Sequence, residues 1–304
     1  MILIKSLRLI LASGETEVKR RATVLMLLFA TGSLAGCGIV GGGGSPQVLA
    51  TTTIIADMAK EVAGDRMMVG SIVPAGAHVE AYEPRPDDAK RMSGAKLVLT
   101  NGLDLDKWVE TLLRNAKTGT PVVTVTDGLP DIDGNPHMWF DLALARQYVA
   151  KIRDALIALD PAGRDIYTAN AKAYSDQLVS VEAELKANVA TIPPDRRKLL
   201  TSHDAFPYFA KAFGFEIVGF AQPEPDKMPS AGELADLIDK VKAAKVPAIF
   251  SEAGVSPQLA ETIAKETGAK VVTDLPTDSL LDKPADTYIG LIRVVVDKIV
   301  AALK

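Results

Sequence analysis

The chain has 304 residues, with 38 acidic against 34 basic side chains, a formal charge of −4, and 48% hydrophobic and 24% charged residues. At roughly 150 residues per domain that length holds two globular domains, and the composition excludes a disordered or collagen-like chain. Mild acidity without a long basic run argues against nucleic-acid binding, and the single cysteine excludes an internal disulfide framework and any cysteine-based zinc knuckle. Only three histidines are present, so an imidazole site has to draw on His78, His137 and His203.

In chain order, Lys19, Arg20 and Arg21 precede the apolar stretch Ala22 to Ser33, whose 12 residues fall short of the roughly 20 helical residues that span a bilayer. Residues 1–36 therefore read as a secretory leader. Leu34-Ala35-Gly36-Cys37 resembles the lipobox of bacterial lipoproteins, which implies that Cys37 is lipidated, becomes the first mature residue and anchors the chain on the extracytoplasmic side of a membrane. Residues 1–17 hold a second weak apolar run with Glu15 and Glu17, and a translation start near Val18 accounts for them. Losing residues 1–36 removes Lys5, Arg8, Lys19, Arg20 and Arg21 against Glu15 and Glu17, which leaves 29 basic and 36 acidic side chains and a charge of −7. Residues 37–46 form a glycine-rich tether. Gly36-x-Gly38-x-x-Gly41 matches a dinucleotide fingerprint in letters alone, since no strand precedes it.

Beyond the tether, strand-length apolar runs alternate with helical patterns. Val48 to Thr53 reads as a strand, followed by a helix with Ile54, Met58, Ala59 and Val62 on one face and Gly64 as terminator. Further strands are expected at Met68 to Val73, Leu97 to Thr100 and Pro121 to Val125. Asp141 can cap a helix whose apolar face is Leu144, Tyr148, Ile152, Leu156 and Leu159. Asp160-Pro161 supplies an N-cap and a first-position proline for a helix of nearly 30 residues, about 44 Å long, with the stripe Tyr167, Tyr174, Leu178, Val181 and Leu185. After Pro193-Pro194, strands are expected at Lys198 to Ser202, Phe215 to Gly219, Ala248 to Ser251 and Lys270 to Thr273, with a Ser230-x-x-Glu233 capping box opening a helix through Val241. The fold class is α/β: two βα-repeat lobes with parallel-type sheets, 47–160 and 191–304, joined by one long helix, 161–190, with a site in the cleft between them.

In open α/β sheets the ligand crevice lies beyond the carboxyl ends of the strands. His203 directly follows one strand, Asp278 lies a few residues beyond another, His137 sits in a turn entering a helix, and Ala77 to Pro84 follows the strand ending at Val73. Each lobe thus offers two candidate ligands. Taken singly, a loop histidine is more often hydrogen-bonded than metal-bound, and an aspartate in Pro276-Thr277-Asp278-Ser279 is a common turn former.

Longer strings of the chain resemble the solute-binding receptors of bacterial zinc and manganese ABC importers, over essentially all of residues 48–304. They are Tyr82-Glu83-Pro84-Arg85-Pro86, Pro136-His137-Met138-Trp139, Thr201-Ser202-His203-Asp204-Ala205-Phe206, Met228-Pro229-Ser230 and Leu275-Pro276-Thr277-Asp278-Ser279-Leu280. The resemblance implies that His137, His203 and Asp278 are metal ligands, that the long helix is a stiff spine, and that the partners are a permease and a separate ATPase. The first ligand departs from the family pattern Asp-Pro-His-x-Tyr-Glu-Pro: a gapless register puts Glu80 at the histidine and His78 at the aspartate. Register selects Glu80, whereas the general preference of transition metals for imidazole points to His78. In an extended segment the two face the same side.

Glu80, His137, His203 and Asp278 would surround a divalent ion with two neutral imidazoles and two carboxylates. Intrinsic affinity then favours Zn²⁺ over Mn²⁺, which stays possible because carboxylates suit the harder ion. Affinity is expected to fall as pH drops toward about 6.5, where free imidazole takes up a proton. Glu252 reads as a surface or supporting acid, Asp204 as a cap for the next helix, and Asp141 as a cap or as an acceptor orienting His137. Trp139 and Phe206 read as fixing the histidine backbone and excluding water. The alternatives are a metal-dependent hydrolase and a surface adhesin lipoprotein. The chain lacks His-Glu-x-x-His, a Gly-x-Ser-x-Gly elbow and a phosphate loop, so it is expected to be a monomeric receptor and not an enzyme.

Overall fold

The computed structural model describes residues 46–116, 119–222 and 228–304. The leader, Cys37 and the tether up to residue 45 lie outside these. No helix among the described residues is long and apolar enough to cross a membrane.

The first sheet consists of β1 (Val48–Ala50), β2 (Val69–Ser71), β3 (Leu97–Thr100) and β4 (Val122–Thr124), in the order β2-β1-β3-β4 with every pair parallel. The second repeats that order as β6-β5-β7-β8, from β5 (Lys198–Thr201), β6 (Glu216–Phe220), β7 (Ala248–Glu252) and β8 (Lys270–Leu275). Parallel neighbours need crossovers, which α1 (Thr53–Ala63), α2 (Pro86–Gly94) and α3 (Trp108–Ala116) supply in the first lobe. In the second lobe they are α6 (Pro207–Phe213), α7 (Ala231–Ala244) and α8 (Gln258–Thr267). The inner strands β1, β3 and β7 are buried along their whole length, which is why they read as unbroken apolar runs.

Each sheet changes winding direction between its two inner strands, so a crevice opens at the carboxyl ends of β1 and β3 in one lobe and of β5 and β7 in the other. Caps explain where the element ends depart from the apolar pattern. β1 stops at Ala50 because the Thr52 hydroxyl accepts the Ile55 N–H at 3.0 Å and opens α1. Gly64, with φ +55, ends that helix. Ser230 and Glu233 form the expected reciprocal capping box of α7.

Two further helices lie between the two sheets in chain order. α4 (Leu142–Leu159) starts at Asp141, whose carboxylate accepts the Ala143 N–H at 2.8 Å. α5 (Arg164–Val189) has 26 residues, so it is about 39 Å long and shorter than the repeat suggested. Asp160 does not cap it. A single 3₁₀ turn, Pro161–Gly163, intervenes, and the Asp160 carboxylate instead pairs with Arg66 at 2.5 Å and accepts the Tyr167 hydroxyl at 2.8 Å, tying the start of the spine to the end of α1.

All five expected stripe residues of α5 are buried, together with Ala171 and Val189. They belong to one continuous core that also takes in β1, α1 and α4 of the first lobe, and Phe206, Phe250 and α9 (Tyr288–Leu303) of the second. Phe140 stacks on Phe206 at 4.7 Å and meets Phe209 edge-on at 6.4 Å across the join. Two fully buried rings of this kind contribute about 2–3 kcal/mol each by burial, so separating the lobes at this point carries a large penalty.

Candidate metal centre

The second lobe builds its half of the site at its own strand crossing. β5 ends at Thr201 and places His203 beside Glu252, the last residue of the neighbouring β7. Glu252 is 1% exposed and fully used as an acceptor: Oε1 receives the His203 backbone N–H at 3.0 Å and Nδ1 at 2.8 Å, and Oε2 receives the Thr277 hydroxyl at 2.9 Å. With Nδ1 donating to a carboxylate, His203 turns its Nε2 lone pair outward. Glu252 is therefore a buried orienting acid, and its expected surface alternative is ruled out.

The first lobe uses its crossing to hold a turn. Asp106 accepts the Thr51 hydroxyl and the N–H groups of Asn101 and Gly102, and Asn101 in turn donates from Nδ2 to the Pro136 carbonyl at 3.0 Å. The turn delivers His137, whose Nδ1 meets Asn135 Oδ1 at 3.0 Å, so its Nε2 is also left for another partner. Asp141, expected as an alternative partner of His137, serves only as the α4 cap. Asn135 also donates from Nδ2 to the Asp204 carbonyl at 2.6 Å and so ties both histidine turns together. Asp204 does not cap α6, which begins after Phe206.

The two free nitrogens face each other, His137 Nε2 lying 3.2 Å from His203 Nε2. Two lone pairs at that distance repel unless a proton or a cation lies between them. Asp278 Oδ1 is 3.4 Å from His137 Nε2 and is buried with no hydrogen-bond partner among the described residues, and Glu80 Oε1 is 3.8 Å from the same nitrogen. Glu80, His137 and His203 each offer a ligand atom within 4.8 Å of one another, and so do His203, Glu252 and Asp278. All four sequence-predicted candidates thus converge between the lobes. His78 comes close as well, with Nδ1 3.3 Å from Asp278 Oδ2, but it belongs to neither group.

Trp139 closes the floor: it is buried, meets the His137 ring edge-on at 5.0 Å and donates its indole N–H to the Thr277 carbonyl at 3.2 Å. Ser279, next to Asp278, accepts the Gly76 N–H at 2.9 Å and lies 3.1 Å from the Thr53 hydroxyl, which accepts the Leu280 N–H at 2.8 Å. The Asp278 loop of the second lobe is therefore bonded on both sides to the first.

Burial and neighbouring charges shift the titration of the groups in the site. Burial alone would lower the His203 imidazole, but Asp278 and the hydrogen-bonded Glu252 outweigh it and raise it to about 10. Burial likewise pushes the Asp278 carboxyl up, yet His203 and the neighbouring His137 and His78 rings hold it well below the usual carboxylate range. Burial raises Glu80, opposed by His137. The pH at which a cation has to displace a proton therefore lies well above the 6.5 expected of free imidazole.

Residues 48–302 match the family model described as ZnuA, zinc-uptake complex component A, periplasmic. The chain is 36% identical over 264 residues to the iron-binding protein YfeA of Yersinia pestis, covering 83% of this chain and 85% of that protein. It is 34% identical over 282 residues to the manganese-binding lipoprotein MntA of Halalkalibacterium halodurans, covering 88% and 94%. Among solved structures, the periplasmic zinc binding protein TroA from Treponema pallidum superposes with a TM-score of 0.78 at 27% identity, covering 86% of this chain and 99% of that one.

Proposed function

The chain belongs to the ZnuA family of periplasmic uptake components, and from that membership we propose that its cargo is Zn²⁺, held by Glu80, His137, His203 and Asp278. It is a solute-binding protein for a divalent metal in an ABC importer, and not an enzyme. The observation that carries the reading is the approach of two imidazole Nε2 atoms to 3.2 Å beside a buried carboxylate oxygen at 3.4 Å that has no hydrogen-bond partner among the described residues. A tetrahedral zinc ion bonded at about 2.0–2.2 Å keeps two of its donors about 3.3–3.6 Å apart, so these atoms need little movement to meet it. Glu80, whose side chain is a quarter exposed and whose Oε1 lies 3.8 Å from His137 Nε2, has a little farther to move. Donor sets of nitrogen and oxygen bind Zn²⁺ more tightly than Mn²⁺, which supports zinc as the tighter ligand.

The receptor acts as a monomer, with a lipid on Cys37 keeping it near the permease and its separate ATPase, and with lobes 47–160 and 191–304 moving against the spine helix 161–190. Metal analysis of protein purified without added metal, followed by competition between Zn²⁺ and Mn²⁺, tests the cargo. One equivalent of zinc, lost in His137→Ala and His203→Ala, is the expected result. Equal binding by wild type and both variants contradicts the ligand set, and tighter manganese contradicts the choice of metal.

A further inference from the structure

Two ligand-type side chains precede Tyr82, and the fold gives them different places. Glu80 faces His137, as described. His78 lies against the second oxygen of Asp278: its Nδ1 is 3.3 Å from Oδ2, while His203 Nε2 is 3.8 Å from that oxygen and beyond hydrogen-bond reach. The His78 ring is fitted there. Its Nε2 is buried with no hydrogen-bond partner among the described residues, and it packs against Gly254, whose φ of +82 suits glycine and where a Cβ would sit 3.3 Å from Nε2. Asp278 thus has one oxygen engaged by His78 and the other, Oδ1, buried and turned to His137.

We propose that His78 is a positioning residue that sets metal selectivity: by donating its Nδ1–H to Oδ2, it restricts Asp278 to a single oxygen toward the cation and holds the site to four ligands. This rests on the metal reading above. A four-ligand shell suits Zn²⁺, whose filled d shell imposes no geometry and which is tetrahedral in most closed protein sites. Mn²⁺ gains from additional oxygen donors, and a two-oxygen Asp278 would supply one. Freeing Oδ2 therefore relaxes the discrimination without deleting a ligand.

The test compares Zn²⁺ and Mn²⁺ affinities by competition for wild type, His78→Ala and His78→Asn, with X-ray absorption of the zinc-loaded proteins counting donors. Asparagine keeps an N–H donor at the place of Nδ1, one bond from Cγ, and has no counterpart of Nε2. The expected result is that His78→Ala narrows the Zn²⁺ to Mn²⁺ affinity ratio by about tenfold or more and adds one oxygen to the zinc shell, while His78→Asn keeps the wild-type ratio and four donors. An unchanged ratio in His78→Ala overturns the proposal. Equal loss of metal from both variants also overturns it, by making His78 itself a ligand. Wild type that takes up neither ion contradicts the metal reading itself, an outcome distinct from wild type that binds zinc with a ratio indifferent to residue 78.

Discussion

His203 donates its Nδ1–H to Glu252 at 2.8 Å, and the two residues come from the ends of adjacent strands at the place where the second sheet reverses its winding. The contact fixes the ring, chooses the nitrogen that faces the cleft and, together with Asp278, raises the imidazole to about 10. A site formed in this way holds a proton in the cation's place.

Metal uptake should therefore release that proton. Because the His203 value is raised, the charged ring persists at neutral pH and the apparent zinc affinity should keep rising with pH toward about 10, without levelling off above about 6.5. Calorimetric titration in buffers of different ionisation enthalpy should give about one proton released per ion near neutral pH. No release would show that His203 is already neutral.

Glu252→Gln keeps an oxygen acceptor for the His203 ring and removes the negative charge behind it. Zinc affinity should drop about 10- to 100-fold while the protein stays folded, since acids behind a ligating imidazole raise its basicity. Competition against a chromogenic chelator reads the change, and an unaltered affinity would reduce Glu252 to a packing role.

Ser279→Ala removes the acceptor for Gly76 and the partner of Thr53, both in the other lobe, and leaves every proposed ligand in place. Losing one to two such bonds is worth about 1–2 kcal/mol, so stopped-flow release of zinc to a chelator should accelerate about five- to thirtyfold, with the capture rate little changed. Equal rates for variant and wild type would separate the lobe contact from release.

Asp57 gives a stability test remote from the site. It is buried in α1, accepts the Tyr288 N–H of α9 at 2.8 Å, and burial raises its carboxyl from 3.8 to about 6. A folded value above the unfolded one means that the folded state holds the proton more firmly, so stability falls as pH rises from about 4 through 6 and the penalty is complete above that. Asp57→Asn retains an acceptor and avoids the charge, and should be more stable than wild type by about 1–3 kcal/mol near pH 7.5, with the gain vanishing near pH 4. Urea unfolding at both pH values measures it, and a destabilised variant at neutral pH would contradict the sign.

The alternation of apolar runs with helical repeats made the βα order readable along the whole described chain, because strands buried on both faces and one-sided helices leave different spacings. Ends were less legible. The hydroxyl of Thr52 shortens β1, and Asp160 prefers Arg66 and Tyr167 to a capping role, choices that depend on neighbours far away in the chain. The motif strings brought His137, His203 and Asp278 into view but did not pair them with the residues that aim them. Glu252 stands 49 positions from His203, and Asn135, which joins both histidine turns, looks like any turn-forming asparagine. The one local sign was an acid closing the apolar run Ala248-Ile249-Phe250, where burial of a charge calls for a partner.

Diffraction at the zinc absorption edge, from crystals grown with one equivalent of zinc, addresses the central claim most directly. The account predicts one anomalous peak about 2.0–2.2 Å from His137 Nε2, His203 Nε2, a single Asp278 oxygen and Glu80. A peak located elsewhere, or none with both imidazoles still 3.2 Å apart, would contradict it.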